Sequence, residues 1–191
     1  MRSSPFPRTG RRLPPADFFL SLMDTAPRTR LQRIRAYGWL LTLGAIVVVL
    51  DQASKAWINA RLPLGTATPA GGAITVVPDF FYLIHVGNTG AAWSLFTGKS
   101  LWLALLAGAT LIAIYFYRKH LDLAQRTVQI SFGLLCGGIL GNLVDRLRHG
   151  HVIDFLDFHF GSYIYPTFNI ADSGICVGVA VYLIYSLRNP Q

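Results

Sequence analysis

A chain of 191 residues that is 52% hydrophobic, 13% aromatic and only 14% charged has the composition of one integral membrane domain. Its mean hydropathy of +0.43 argues against a soluble globule. The formal charge of +8 does not point to nucleic acid, because residues 1–35 hold eight Arg against Asp17 and Asp24, a net +6 ahead of the first apolar run.

Residues 1–35 are rich in Pro, Arg and Ser with no sustained apolar period, which predicts a basic cytoplasmic extension that is disordered or lies on the membrane surface. Met23 is an alternative start. The run from Tyr37 to Ile58 is longer than the apolar region of a secretory signal, so it reads as a retained helix. Four segments reach the about 20 residues that a spanning helix needs: Ala36–Ile58, Ser100–Tyr117, Val128–Leu147 and Phe168–Leu187. In the third, Gly133, Gly137, Gly138 and Gly141 predict close helix approach and make it the most protein-buried of the four. Cys136 and Cys176 lie within apolar segments and read as small hydrophobes, with no disulfide, redox or metal role.

Charge orients the spans. Arg28, Arg30, Arg33 and Arg35 precede the first, Arg118, Lys119 and Arg126 separate the second from the third, and Arg188 follows the fourth. The positive-inside rule puts these regions in the cytoplasm with both termini, and puts the connections 59–99 and 148–167 outside. Within 59–99, Ala73–Val77 and Phe80–Val86 are β-rich runs split by Pro78-Asp79, predicting a small sheet on the bilayer surface. Thr89–Phe96 reads as a short amphipathic helix, with Trp93 and Phe96 at the interface. Trp39, Trp57 and Trp102 are likewise assigned to interfacial belts or helix packing.

That orientation collects the polar groups in one layer. Asp51, Asn142, Asp145 and Arg146 fall near the outer ends of the first and third spans, Asn169 and Asp172 begin the fourth, and Asn88 and Asp154 lie in the outer connections. Carboxylates at the mouth of an apolar bundle are costly, hence candidates for function. Asp154 and Asp172 are the predicted dyad. Two carboxylates about 3 Å apart cannot both ionise and so hold one proton between them. The ionised member can take a proton from water while the other donates to a carbonyl. Asp145, followed by Arg146, is expected to be held ionised in an architectural pair, and Asp51 to pair with Lys55 one turn on. His149, His151 and His159 match no tight metal-ligand spacing. A small proton- or cation-coupled transporter is the alternative from another class, and it wants polar groups spread through the membrane depth, of which Ser100–Tyr117 has almost none. A lipid phosphatase using Arg146, Arg148 and His149 would face opposing acids.

Five segments then carry a resemblance: Asp51-Gln-Ala-Ser-Lys55, Asn88-Thr-Gly-Ala-Ala-Trp-Ser, Gly141-Asn-Leu-Val-Asp-Arg146, Val152-Ile-Asp-Phe155 and Phe168-Asn-Ile-Ala-Asp-Ser173. In order, over about residues 36–187, they resemble the motifs of bacterial lipoprotein signal peptidases. The resemblance implies an all-α membrane fold, a four-transmembrane-helix bundle with a small extracytoplasmic β-cradle and a short amphipathic helix. It implies an inner-membrane aspartic endopeptidase that cuts diacylglyceryl-modified prolipoproteins just before the lipidated cysteine, without metal or cofactor, and that globomycin-type peptides inhibit. Asp154 and Asp172 would be catalytic. Asp51, Asn88, Gly90, Asn142, Asp145, Arg146, Asn169 and Ala171 would line or brace the site. Domains are then 1–35, a peptidase domain 36–187 and a tail 188–191. The partners are lipidated precursors and membrane phospholipid, with no nucleic acid, and the chain is a monomer. Trp93 departs from the family's usual Phe, and the Arg-rich extension from its usual short N-terminus.

Overall fold

A computed structural model describes residues 37–91 and 95–190. The predicted extension 1–35 and the site of Trp93 lie outside the described residues. Among the described residues, four helices, each long and apolar enough to cross a membrane, are accompanied by one small antiparallel sheet. The helices are α1 (Gly38–Arg61), α2 (Ser100–Tyr117), α3 (Arg126–His149) and α4 (Ile170–Arg188). The strands are β1 (Ile74–Val77), β2 (Phe81–Asn88), β3 (Val152–Phe160) and β4 (Tyr163–Ile164), hydrogen-bonded in that order.

Helix α3 is the centre of the packing. It buries ten residues, against four in α1, three in α4 and one in α2. Its glycines are the reason. A Cβ on Gly137 would stand 2.8 Å from Gly44 O of α1, and one on Gly138 would collide with Ala171 O of α4. Small residues at these positions let backbones meet where side chains would hold them apart. Helix α3 ends at Gly150, whose φ of 75° and N–H donation to Arg146 O form a left-handed cap.

The segment 148–167, read from the sequence only as an outer connection, contains the nine-residue strand β3, which pairs with β2 and carries Asp154. Its alternation was hidden because both faces are buried at Val152–Phe155. The short helix expected at Thr89–Phe96 is corrected in its described parts: 90–91 are bends and 95–98 turns, and Ala91 N–H donates forward to Leu95 O at 2.7 Å. Gly90 lies so close beneath this loop that a Cβ on it would meet Leu95 O at 2.6 Å. The expected hairpin of 73–86 forms, with Asp79 at φ 58° in its turn and its N–H on the Tyr82 hydroxyl at 2.8 Å.

The sheet is fastened to the helices at three points. Ile153 and Phe155 of β3 pack on Ile58 and Leu62 at the end of α1. The buried His85 ring bonds Leu62 O through Nδ1 at 2.7 Å. Phe168, next to the start of α4, accepts N–H bonds from Phe155 and Leu156 at 3.1 and 2.9 Å. This last contact brings the middle of β3 against the first turn of α4.

Candidate active site

A lysine sits at the base of the polar layer. Lys55 Nζ lies 2.8 Å from Asp51 Oδ2 and 2.7 Å from Asp145 Oδ2, and donates to Asn142 Oδ1 at 3.0 Å. All are interior: Asp51, Lys55 and Asp145 are 0, 2 and 1% exposed. Gln52 Nε2 adds bonds to Asp145 Oδ1 at 2.8 Å and Asp51 Oδ2 at 3.1 Å. Asp51 Oδ1 accepts the Ala171 N–H at 2.9 Å, so it also holds one of the unpaired donors at the start of α4. Gly141 makes room for this, since a Cβ there would stand 2.6 Å from Asp51 Oδ2.

Asp154 and Asp172 are partnered differently. Asn169 is the N-cap of α4: its Oδ1 accepts the Asp172 N–H at 2.9 Å and its own N–H donates to Asp172 Oδ2 at 3.2 Å, a reciprocal capping box. With Oδ1 so engaged, its Nδ2 points to β3 and donates to Asp154 Oδ1 at 2.7 Å. One residue therefore touches both carboxylates. Asp154 Oδ2 accepts from Asn88 Nδ2 at 2.9 Å, a diagonal cross-strand neighbour because Val86 pairs with Asp154. Asp172 Oδ1 accepts from Asn142 Nδ2 at 2.7 Å. Among the described residues, each of the four carboxylate oxygens thus accepts from a neutral amide N–H.

The contrast decides which acids are available. Among the described residues, Asp51 and Asp145 share Lys55 and Asp157 pairs with His159 at 2.7 Å, whereas no ion pair holds Asp154 or Asp172. Burial, and after it the neighbouring Asp172 charge, pushes the Asp154 carboxyl up from its ordinary 3.8 to about 7, against the Asn88 and Asn169 amides and the Lys55 charge. A group poised there can take or give a proton near neutrality.

All ten predicted site residues fall in this one layer, but Arg146 does something other than expected. It does not pair with Asp145. Its Nη2 donates to Gly90 O at 2.9 Å, and its Nε is buried without a partner. On a helix, consecutive side chains diverge by about 100°, so Arg146 could not follow Asp145 onto Lys55. Gly90 N–H in turn donates to Asn88 Oδ1 at 2.8 Å, which fixes the Asn88 amide with its donor toward Asp154. Reading the sequence alone missed Gln52 and the full reach of Lys55. The available signal was a Gln and a Lys one helical turn apart beside Asp51, on the face that α3 covers.

This geometry has relatives. The family described as "Signal peptidase (SPase) II" matches residues 43–188. The chain belongs to the signal peptidase II family. It is therefore a multi-pass membrane protein and a peptidase, and the transporter reading is set aside. The peptidase is 45% identical over 150 residues to the lipoprotein signal peptidase of Burkholderia vietnamiensis (strain G4 / LMG 22486), covering 76% of this chain and 84% of that one. It is 44% identical over 150 residues, at the same coverage, to the lipoprotein signal peptidase of Burkholderia ambifaria (strain MC40-6). A solved structure described as "Bacterial membrane enzyme structure by the in meso method at 1.9 A resolution" superposes with a TM-score of 0.69 at 31% identity, covering 80% of this chain and 94% of that one.

Proposed function

We propose that the peptidase is a metal-independent aspartic endopeptidase whose dyad is Asp154 and Asp172, and that it removes the signal peptide of diacylglyceryl-modified prolipoproteins just before the lipidated cysteine. The observation that carries this reading is the division among the five acids of this layer: Asp51 and Asp145 share the one ammonium of Lys55, Asp157 faces the His159 ring, and Asp154 and Asp172 are held by amide N–H donors.

In the reactive form the pair holds one proton, which belongs to both acids rather than to either. A water between them gives its proton to the ionised carboxylate and attacks the scissile carbonyl. The protonated carboxyl donates to the carbonyl oxygen, and a tetrahedral gem-diol forms. As the C–N bond breaks, the carboxyl that took the proton returns it to the departing amide nitrogen while the other, now ionised, takes a proton from a gem-diol hydroxyl, so the new carboxyl group forms and the pair again holds one proton. Asn88, Asn142 and Asn169 hold the oxygens at fixed angles throughout, so little reorganisation accompanies charge movement.

Membrane placement completes the reading. Basic residues at the opposite ends of the helices put both termini in the cytoplasm, and the sheet and the acids then lie at the outer leaflet of the inner membrane as an extracytoplasmic cradle. Residues 36–187 act as the catalytic domain, and the protein works as a monomer among phospholipids. The substrate enters from the bilayer with its acyl chains in the outer leaflet, which gives a physical reason for carboxylates at that depth. Globomycin-type peptides occupy the same place. The test is incubation of purified protein with a lipidated and an unlipidated precursor, with and without globomycin. Globomycin-sensitive cleavage of the lipidated precursor alone is expected, and equal cleavage of both would overturn the substrate assignment.

A further inference from the structure

In the hydrolysis described above Lys55 does nothing directly: its three partners are Asp51, Asp145 and Asn142, and neither Asp154 nor Asp172 is among them. We propose that Lys55 is a positioning residue for the dyad, fixing which end of the Asn142 amide faces Asp172 while holding a buried positive charge beneath the pair. The inference rests on Asp154 and Asp172 being the dyad.

An amide's two ends are nearly the same shape, and only its partners decide which way it points. Asn142 Oδ1 receives Lys55 Nζ at 3.0 Å and Asn169 Nδ2 at 3.2 Å, and this leaves Nδ2 to donate to Asp172 Oδ1 at 2.7 Å. An ammonium has three donors and no acceptor. A reversed Asn142 would set its NH2 against the lysine and its carbonyl oxygen against the Asp172 carboxylate, two repulsions where two bonds now stand. Asn169 cannot enforce the orientation alone, since its Nδ2 also serves Asp154 Oδ1 and Ile153 O. Lysine suits the place because three acceptors, Asp51 Oδ2, Asp145 Oδ2 and Asn142 Oδ1, surround one nitrogen within 3.0 Å. The planar fork of arginine does not match three acceptors converging on a point.

Charge adds a second effect. The charged groups around this centre are Asp51 from α1, Asp145 and Arg146 from α3, Asp154 from β3 and Asp172 from α4. Arg146 donates to Gly90 O and its charge also acts on Asp172 and Asp154, while Lys55 is the cation that touches Asn142. Its field restrains the upward push on the Asp154 carboxyl.

A lysine that merely neutralised Asp51 and Asp145 would predict something different, and paired variants separate the two roles. Lys55→Met alone leaves two unpaired acids. Lys55→Met with Asp145→Asn leaves the trio at its original net charge of about −1, but with no ammonium on Asn142. The full-length protein is assayed on a diacylglyceryl-modified precursor, with kcat, KM, the pH profile and the thermal midpoint recorded for each variant.

The proposal expects Lys55→Met to lower kcat about 100-fold with KM little changed, and to move the acid limb of the profile to higher pH. The double variant should regain the pH profile and much of the thermal midpoint, with kcat still at least about 10-fold down. Recovery of wild-type kcat in the double variant would overturn the proposal, leaving Lys55 as a neutralising charge only. Lys55→Arg, the arm least exposed to misfolding, should keep the profile and lose kcat, and full activity there would also overturn it. Turnover by Asp154→Asn would instead remove the dyad reading itself. An inactive Asp154→Asn beside a fully active double variant removes the Lys55 role alone.

Discussion

Replacing Asp154 by Asn should change the protein's stability with a sign that depends on pH. Asp154 is 3% exposed, and its carboxyl is pushed from 3.8 to about 7 by burial and by Asp172. In this window the folded state binds more protons than the unfolded one. The stabilising contribution is therefore complete below about pH 3.8 and is lost as pH rises to about 7. At about 1.4 kcal/mol per pH unit the loss comes to about 4 kcal/mol above pH 7. Asn carries no such penalty. However, Asn169 Nδ2 and Asn88 Nδ2 both donate to Asp154, so the new NH2 must face one of them at a cost of about 1–3 kcal/mol. Asp154→Asn should thus be the more stable protein by about 1–3 kcal/mol at pH 8 and the less stable by a similar amount at pH 4, crossing between about pH 5 and 6. For a chain of this size each kcal/mol moves the thermal midpoint by about 2–4 °C. Thermal melts of both proteins in one detergent from pH 4 to 9 measure it. Parallel curves, with no crossing, would refute the claim that Asp154 carries its proton into the neutral range.

Asp145→Ala should lower stability by about 3–5 kcal/mol by stranding half of the Lys55 charge and the donors of Gln52 and Ile153, and a thermal midpoint within about 2 °C of wild type would contradict it. Gly137→Val should part α3 from α1 and cost more than about 2 kcal/mol in thermal melts, while Gly108→Ala on α2, which has open space, should not destabilise. Cleavage should be indifferent to EDTA, and loss of activity restored by a divalent ion would contradict the metal-free dyad.

The helices were readable because apolar length and flanking charge are local properties, and the observed limits differ from the expected ones by at most three residues. The layer of polar groups was readable for the same reason: alternating span direction sends Asp51, Asn142 and Asn169 to one end. Asn169 and Asp172 stand at the spacing of a capping box, but no cap was read there from the sequence. Strand β3 was not readable, since burial on both faces erased the alternation that marks a strand, and its pairing with β2 is set across more than sixty residues. The partner of Asp145 was obscured by sequence adjacency. Arg146 is next in the chain but faces Gly90, whereas Lys55, ninety residues earlier, arrives through the glycine-mediated contact of α1 with α3. The bends at 90–91 and turns at 95–98 were lost to an apolar pattern that helices and turns share.

The most direct measurement is single-turnover cleavage of a diacylglyceryl-modified precursor by folded Asp154→Asn and Asp172→Asn, with the product's new N-terminus read by mass spectrometry. Both variants should bind the precursor and leave it intact, while wild type releases a chain beginning at the lipidated cysteine. Cleavage at that bond by either variant at a rate within about 10-fold of wild type would contradict a two-carboxylate mechanism.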